Sequence, residues 1–425
     1  MANISYLWQN LLSRVKIKKN KAQNEERLSG KIRKLLNFVE KEGLYPEIKI
    51  IESNEPETIV NGKKVLLFCS LNYLGLANHP RIKEAAIEAI QKYGVGAAGS
   101  RFVSGNYELH EILEKKIAKF KKEESAVVFQ TGYVTNIGTI PTLVNLPKIA
   151  PFSFLNEKAV IFSDELNHRS IIDGCKISKA EIVIYKHCDM VDLEAKLRKY
   201  RNRPKLIITD SVFSMDGDIA PLPRLVELAK KYKAMTMIDE AHATGILGER
   251  GGGATDYFHL EGQIDIVMGT FSKALGCLGG YVAGKKYLMR YLKVANRSSI
   301  FSVNLPPSLA AAIIAALEEI QRNPALRKKL WENTRYLREN LQKLGFNTLN
   351  SQTPIIPILI GEEKKTMKFA KLLFERGIFA PCIRWPAVPR GKARIRFVVM
   401  ATHTKEQIDK LSNVCEKVGR LLKII

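Results

Sequence analysis

Six cysteines in 425 residues, none in a CxxC pair, argue against both a disulfide framework and a zinc site. They stand at positions 69, 175, 188, 277, 382 and 415, and so scattered a set reads as reduced thiols in a cytoplasm. The N-terminus lacks the basic start, apolar block and small-residue cleavage site of a secretion signal. No internal repeat or low-complexity segment is found. Two long runs lack charge, Ala126 to Pro147 and Ser298 to Leu317. Both contain proline and hydroxyl or amide side chains, which favours buried core over a membrane span. Acidic residues are in short supply: 43 Asp and Glu face 67 Lys and Arg, a net charge of +24. The excess cations are spread along the chain. They fit a solvated surface, or attraction to an acidic partner such as a nucleotide, an acyl carrier protein or an anionic membrane.

The apolar share, 46%, is ample for a large core. Residues 1–60 read as a charged N-terminal arm. In it Ile4, Leu7, Trp8, Leu11, Leu12 and Val15 share one face of a helix, and Arg14, Lys16, Lys18, Lys19 and Lys21 follow with no acid among them. Such a basic amphipathic helix suits the protein's own dimer, an acidic carrier, or peripheral contact with the inner membrane surface. From about 61, short apolar runs alternate with helical stretches: "KVLLFCS", "SAVVFQ", "AVIFSD", "EIVIYK", "KLIITDS", "AMTMID", "DIVMGT" and "GGYVAG". This texture predicts an α/β large domain over 61–300, with a mostly parallel sheet covered on both faces. Beyond it, long charged helices flank "IIPILI" and "ARIRFVV" and predict a smaller α+β C-terminal domain over 301–425.

"MIDEAH" at a strand end resembles a helicase motif, and the basic charge would suit nucleic acid. A helicase needs GxxxxGK[ST] upstream. The nearest match, "GGYVAGKK" from Gly279 to Lys286, ends in a lysine where a hydroxyl must meet magnesium. It also follows Asp239 instead of preceding it. No nucleic-acid partner is expected.

Ligands of parallel sheets collect at the carboxyl ends of the strands. Those ends supply Thr131, Gly132 and Tyr133, then His168, then Asp210, Ser211 and Ser214, then Asp239 and His242, then Thr270, Ser272 and Lys273. No nucleophile–base–acid triad is among them. One lysine in a hydroxyl-rich turn is, and Lys273 can form a Schiff base with an aldehyde cofactor. Pyridoxal 5'-phosphate (PLP) needs a carboxylate at its ring nitrogen, which Asp239 offers. It needs a phosphate cup, which Thr270 and the N–H groups at "TGY" offer. His242 and His168 can serve the ring hydroxyl and the ring face. No metal is required.

The motifs "GVGAAGSRFVSGN", "SDELNHRSIIDG", "DSVFSMDGDIAPL", "IDEAHATGILGERGGG", "GTFSKALGCLGG" and "IRWPAVPRGKARIR" carry a resemblance to the α-oxoamine synthase family of PLP enzymes. It extends over most of the chain. It implies PLP fold type I, like aspartate aminotransferase, and a homodimer with active sites at the subunit interface. It also implies decarboxylating condensation of a small amino acid with an acyl-CoA or an acyl-carrier-protein thioester. By motif position, Lys273 resembles the Schiff-base lysine and proton-transfer base, Asp239 the ring-nitrogen partner, His242 the group at the ring hydroxyl and His168 the stacking histidine. Gly132, Tyr133 and Thr270 resemble phosphate contacts and Ser214 a cofactor contact. Arg396 resembles the arginine that holds the substrate carboxylate, with Arg394 and Arg384 next in line, and Asn72 is expected near substrate. "FSVNLPP" would reach the neighbouring subunit, with Asn304 where the family often has serine. Within the family, "HATG", "TPIIPI" and "IRWPAVPRGKARIR" look most like a member joining alanine to a pimeloyl thioester. "NYLG", "GTFSK" and Ala387 look closer to one joining serine to a palmitoyl thioester, and a glycine–acetyl member is a third candidate. A plain aminotransferase would share the lysine and aspartate but would not need the "SMDGD" segment.

Overall fold

The computed structural model describes residues 28–41, 45, 48–146, 158–385 and 387–425. The amphipathic stripe from Ile4 to Val15 lies outside them. The first pairing is a hairpin of β1 (Glu57–Val60) and β2 (Lys63–Leu67). Its two-residue turn is Asn61-Gly62, with φ of 49° and 76°. Turns of this hand match strand twist and need residues that tolerate positive φ.

The apolar runs of the middle region form one seven-stranded sheet. Its strands are β3 (Ser125–Phe129), β4 (Val160–Asp164), β5 (Glu181–Tyr185), β6 (Lys205–Asp210), β7 (Met235–Asp239), β8 (Ile266–Thr270) and β9 (Gly280–Gly284). The order is β3-β9-β8-β7-β6-β4-β5. Pairs from β8 through β5 are parallel, and β9 runs antiparallel to both its neighbours. Strands β6, β8 and β9 are buried along their whole length, as expected for a sheet covered by helices on both faces. The run from Ala126 becomes most of β3 and the helix Gly132–Val144. That from Ser298 supplies the helix Pro307–Arg322. Among the described residues no helix is long and apolar enough to cross a membrane.

The smaller sheet, in the order β10-β13-β12, pairs β10 (Ile355–Gly361), β13 (Ala393–Val398) and β12 (Cys382–Ile383). Two elements sit differently from the sequence expectation. Strand β2, expected to open the large domain, instead pairs in parallel with β11 (Ile378–Phe379). Leu66 and Phe68 are buried with Ile356, Phe369, Ile395 and Phe397 of the C-terminal region. Conversely, the helix Pro307–Arg322 buries Ala310, Ile313 and Leu317 against the large-domain core. Apolar patterning says that a face will be covered but not by what.

Candidate functional site

The strand order brings the predicted residues to one end of the large sheet. Asp210, Asp239 and Thr270 are the last residues of β6, β7 and β8, and Asp210 lies in register with Asp239. A cavity of about 210 Å³ opens there. Among its lining residues are Gly132, Tyr133, His168, Ser214, Asp239, His242, Thr270 and Lys273, every one of the anticipated cofactor contacts.

Thr131 caps the helix Gly132–Val144, its hydroxyl accepting from the Val134 N–H at 3.1 Å. Gly132 packs tightly: a Cβ there would stand 3.1 Å from Thr270 Cβ and 3.2 Å from its Oγ1, so a larger residue would push on Thr270. The free N–H groups of that helix start and the hydroxyls of Thr270 and Ser272, 3.0 Å apart, form a cradle suited to a phosphate. Tyr133 donates to Asp173 Oδ2 at 2.6 Å, which holds its ring at the cavity mouth.

Asp239 is buried and doubly held. Its Oδ1 accepts from the Ala241 N–H and its Oδ2 from Asn136 Nδ2, each at 2.8 Å. Asn136 also donates to Ser170 Oγ at 2.8 Å, and its Oδ1 is buried without a partner. Asp210 takes the His168 backbone N–H at 2.6 Å. Burial, and then the neighbouring Asp239 charge, hold the Asp210 carboxyl well above the usual carboxylate range. Burial likewise pushes the Lys273 amine down from 10.5 to about 8, although Asp239 and Asp210 pull the other way. A lysine so placed is mostly ammonium at pH 7 but about one-tenth neutral, far more than an ordinary lysine, which favours its use as a nucleophile and proton carrier. Enclosure also lowers His168 and His242, so both are neutral imidazoles at pH 7. Carboxylate, amine, anion cradle and neutral histidines fit PLP in charge and in chemistry.

The small domain brings an arginine near the site, where its charge acts on Lys273 and His242. Arg396 donates from Nη1 to the Ser214 carbonyl at 3.0 Å, and its buried Nε has no partner. Arg394, two residues earlier on β13, is already bound by Asp216. Arg384 lies in the loop after β12, and none of the three arginines is among the residues that line the cavity. Of the three, Arg396 is the one with an open buried donor. The Ser214 loop is anchored from behind by His187, which spans Asp164 Oδ1 at 3.1 Å and Asp218 Oδ2 at 2.8 Å.

Two expected contacts have other partners. Asn72 does not line the cavity: its Oδ1 accepts from the Ala77 N–H at 3.1 Å and closes the turn after β2. Asn304 is buried and points into its own chain, donating to the Gly105 carbonyl at 2.9 Å. The glutamate of "DEAH" also has a structural role. Glu240 is fully buried in an ion pair with Lys121, and its other oxygen takes the Thr255 N–H at 2.8 Å. Removing one partner strands a buried charge. Lys121→Met is therefore expected to lose about 3–5 kcal/mol in urea unfolding, and a loss under 1 kcal/mol would refute the pair's role. Asn136 and Tyr73 went unmarked in the sequence. Asn136 had a signal, since it lies four residues after Gly132 on the same helix face. Tyr73 had none.

Comparisons with known proteins give the family. A family model described as aminotransferase class I and II matches residues 63–414. The 8-amino-7-oxononanoate synthase of Thermoanaerobacter pseudethanolicus is 50% identical over 93% of this chain and 98% of its own. That of Treponema denticola is 47% identical with the same coverage. A serine palmitoyltransferase solved with PLP superposes with a TM-score of 0.88 at 32% identity, covering 94% of this chain and all of its own. The chain belongs to the α-oxoamine synthase family. It is thus a PLP-dependent acyltransferase of fold type I.

A second, larger cavity of about 680 Å³ adjoins this α-oxoamine synthase site and shares His168 and Ser214 with it. Its walls include Ile172, Ile184, Trp385 and Val388, with the exposed Lys176 on its rim.

Proposed function

We propose that this chain condenses L-alanine with a pimeloyl thioester, releasing carbon dioxide and the thiol, to form 8-amino-7-oxononanoate, a step of biotin synthesis. The observation that carries the reading is identity: relatives bearing that name match at 47–50% across at least 90% of this chain, against 32% for the serine palmitoyltransferases. Bound PLP supplies the electron sink that makes the amino-acid α-carbon a nucleophile and lets the condensed acid lose its carboxylate. The residues do the rest. Lys273 Nζ takes the proton from the α-carbon and returns one after condensation. Asp239 would hold the ring-nitrogen end of the cofactor through its charge. His168 would lie at the ring face and His242 at the ring oxygen. Gly132, Tyr133 and Thr270 would hold the phosphate end, and Ser214 braces Arg396. Arg396 binds the amino-acid carboxylate. The second cavity is wide enough for the thioester arm.

The test is product identification, with alanine, serine and glycine each offered against acetyl, pimeloyl and palmitoyl thioesters. Alanine with the pimeloyl donor should be preferred. Preference for serine with palmitoyl would move the chain to the serine palmitoyltransferase branch, which the structural likeness and Ala387 favour. Preference for glycine with acetyl would make it a glycine C-acetyltransferase. Arg396→Lys should raise the alanine KM at least about tenfold, because a point charge replaces a bidentate fork. An unchanged value would place the carboxylate elsewhere.

The reading extends to a homodimer and to a role for the arm. Exposed Val95, Phe102, Val103, Phe301 and Val303 surround the loop bonded through Asn304 to Gly99, a surface suited to a second copy. Light scattering tests the dimer. Sedimentation with anionic vesicles at low and high salt, with and without residues 1–22, tests whether the basic arm meets a membrane.

A further inference from the structure

Tyr73 is completely buried just after β2, and its hydroxyl lies 2.7 Å from Nδ1 of His242 across 169 residues of sequence. The rings meet edge to face, with centroids 6.2 Å apart at 76°. Its backbone is fixed too, the carbonyl accepting from the Ala401 N–H at 2.7 Å. Among the described residues the Tyr73 hydroxyl has no other hydrogen-bond acceptor. The cation that acts on it, Arg396, can only donate. The hydroxyl proton therefore points at Nδ1, and Nδ1 accepts.

We propose that Tyr73 sets the tautomer of His242, holding its single ring proton on Nε2 as a donor directed at the ring oxygen of bound PLP. A neutral imidazole has one proton, and the bond at one nitrogen decides which nitrogen carries it. Burial, with the Lys273 and Arg396 charges, keeps His242 neutral, so the choice of nitrogen is a real one. In the opposite tautomer the Nε2 lone pair would face an electron-rich oxygen, and the contact would repel. Tyr73 is thus a positioning residue that acts through His242. The inference rests on the cofactor reading only for what Nε2 faces.

The test begins with apoprotein labelled with 15N in its histidine rings, with the His242 signals assigned by their loss in His242→Gln. At pH 7 wild type should show protonated Nε2 and bare Nδ1, and Tyr73→Phe a mixture of tautomers. A proton on Nδ1 in wild type overturns the proposal, as does the same single tautomer in Tyr73→Phe. The wild-type spectrum alone decides if Tyr73→Phe does not fold. It is also independent of whatever the cavity binds, so its failure is distinct from failure of the cofactor reading. In loaded protein, Tyr73→Phe should shift the pH midpoint of the PLP visible band. It should also lower kcat roughly 10–100-fold, the scale for partners that orient a functional histidine, with the alanine KM near wild type. An unmoved band and an unmoved kcat together would also overturn it.

Discussion

Lys273→Ala is expected to bind PLP reversibly and to lose turnover by roughly 10²–10⁴-fold or more, the scale of a lost proton-transfer group. Wild type should be yellow, and borohydride should attach the cofactor to Lys273. The variant should release its cofactor on dialysis. Asp239 and Asp210 pull the Lys273 amine up, and enclosure still drives it down to about 8. That depression has a stability consequence with a definite sign. Between about pH 8 and 10.5 the unfolded chain binds a proton that the folded apoprotein does not, so apoprotein stability rises with pH there. Below pH 8 the folded apoprotein carries a buried ammonium at a cost. Lys273→Met should therefore melt above wild-type apoprotein at pH 7, and the difference should shrink as pH rises through that window. Melting curves of the two apoproteins at pH 7 and pH 10 check it. A variant that keeps wild-type turnover would remove Lys273 from the chemistry.

Asp239→Asn should fold and bind cofactor but react at least about 10²–10³-fold more slowly, the scale of losing a preorganised charge. The fold can accept it for a specific reason. Asp239 receives Asn136 Nδ2 at 2.8 Å, while Asn136 Oδ1 is buried and unpartnered. An Asn136 amide flip would turn that oxygen toward the new side-chain N–H, and the Ser170 hydroxyl could donate to it. The Ala241 N–H keeps its acceptor. The loss should thus fall on kcat with little change in melting temperature, because a neutral side chain no longer holds the ring-nitrogen proton. Asp239→Ala, which leaves a cavity and an unpaired Asn136, should lose stability as well. A kcat within tenfold of wild type in Asp239→Asn would mean that another group serves the ring nitrogen.

Much of this was legible in the sequence. Unbroken apolar runs marked the strands of a covered parallel sheet. Strand ends near Gly132, Asp239, Thr270 and Lys273 marked the cofactor site, because a parallel sheet collects its strand ends on one side. Those signals are local, set by backbone conformation, side-chain period and turn chemistry. Tertiary structure decided what such signals cannot carry. It paired β2 with β11 and laid the helix Pro307–Arg322 on the large-domain core. It separated Arg396, whose buried Nε is open, from Arg394, bound by Asp216, though the two share one face of one strand. It showed Glu240 neutralised by Lys121 and Tyr73 on His242. Each of these depends on which distant side chain fills the space opposite. That is settled by strand order and register across separations of a hundred residues or more, and neither is written in the local pattern of either partner.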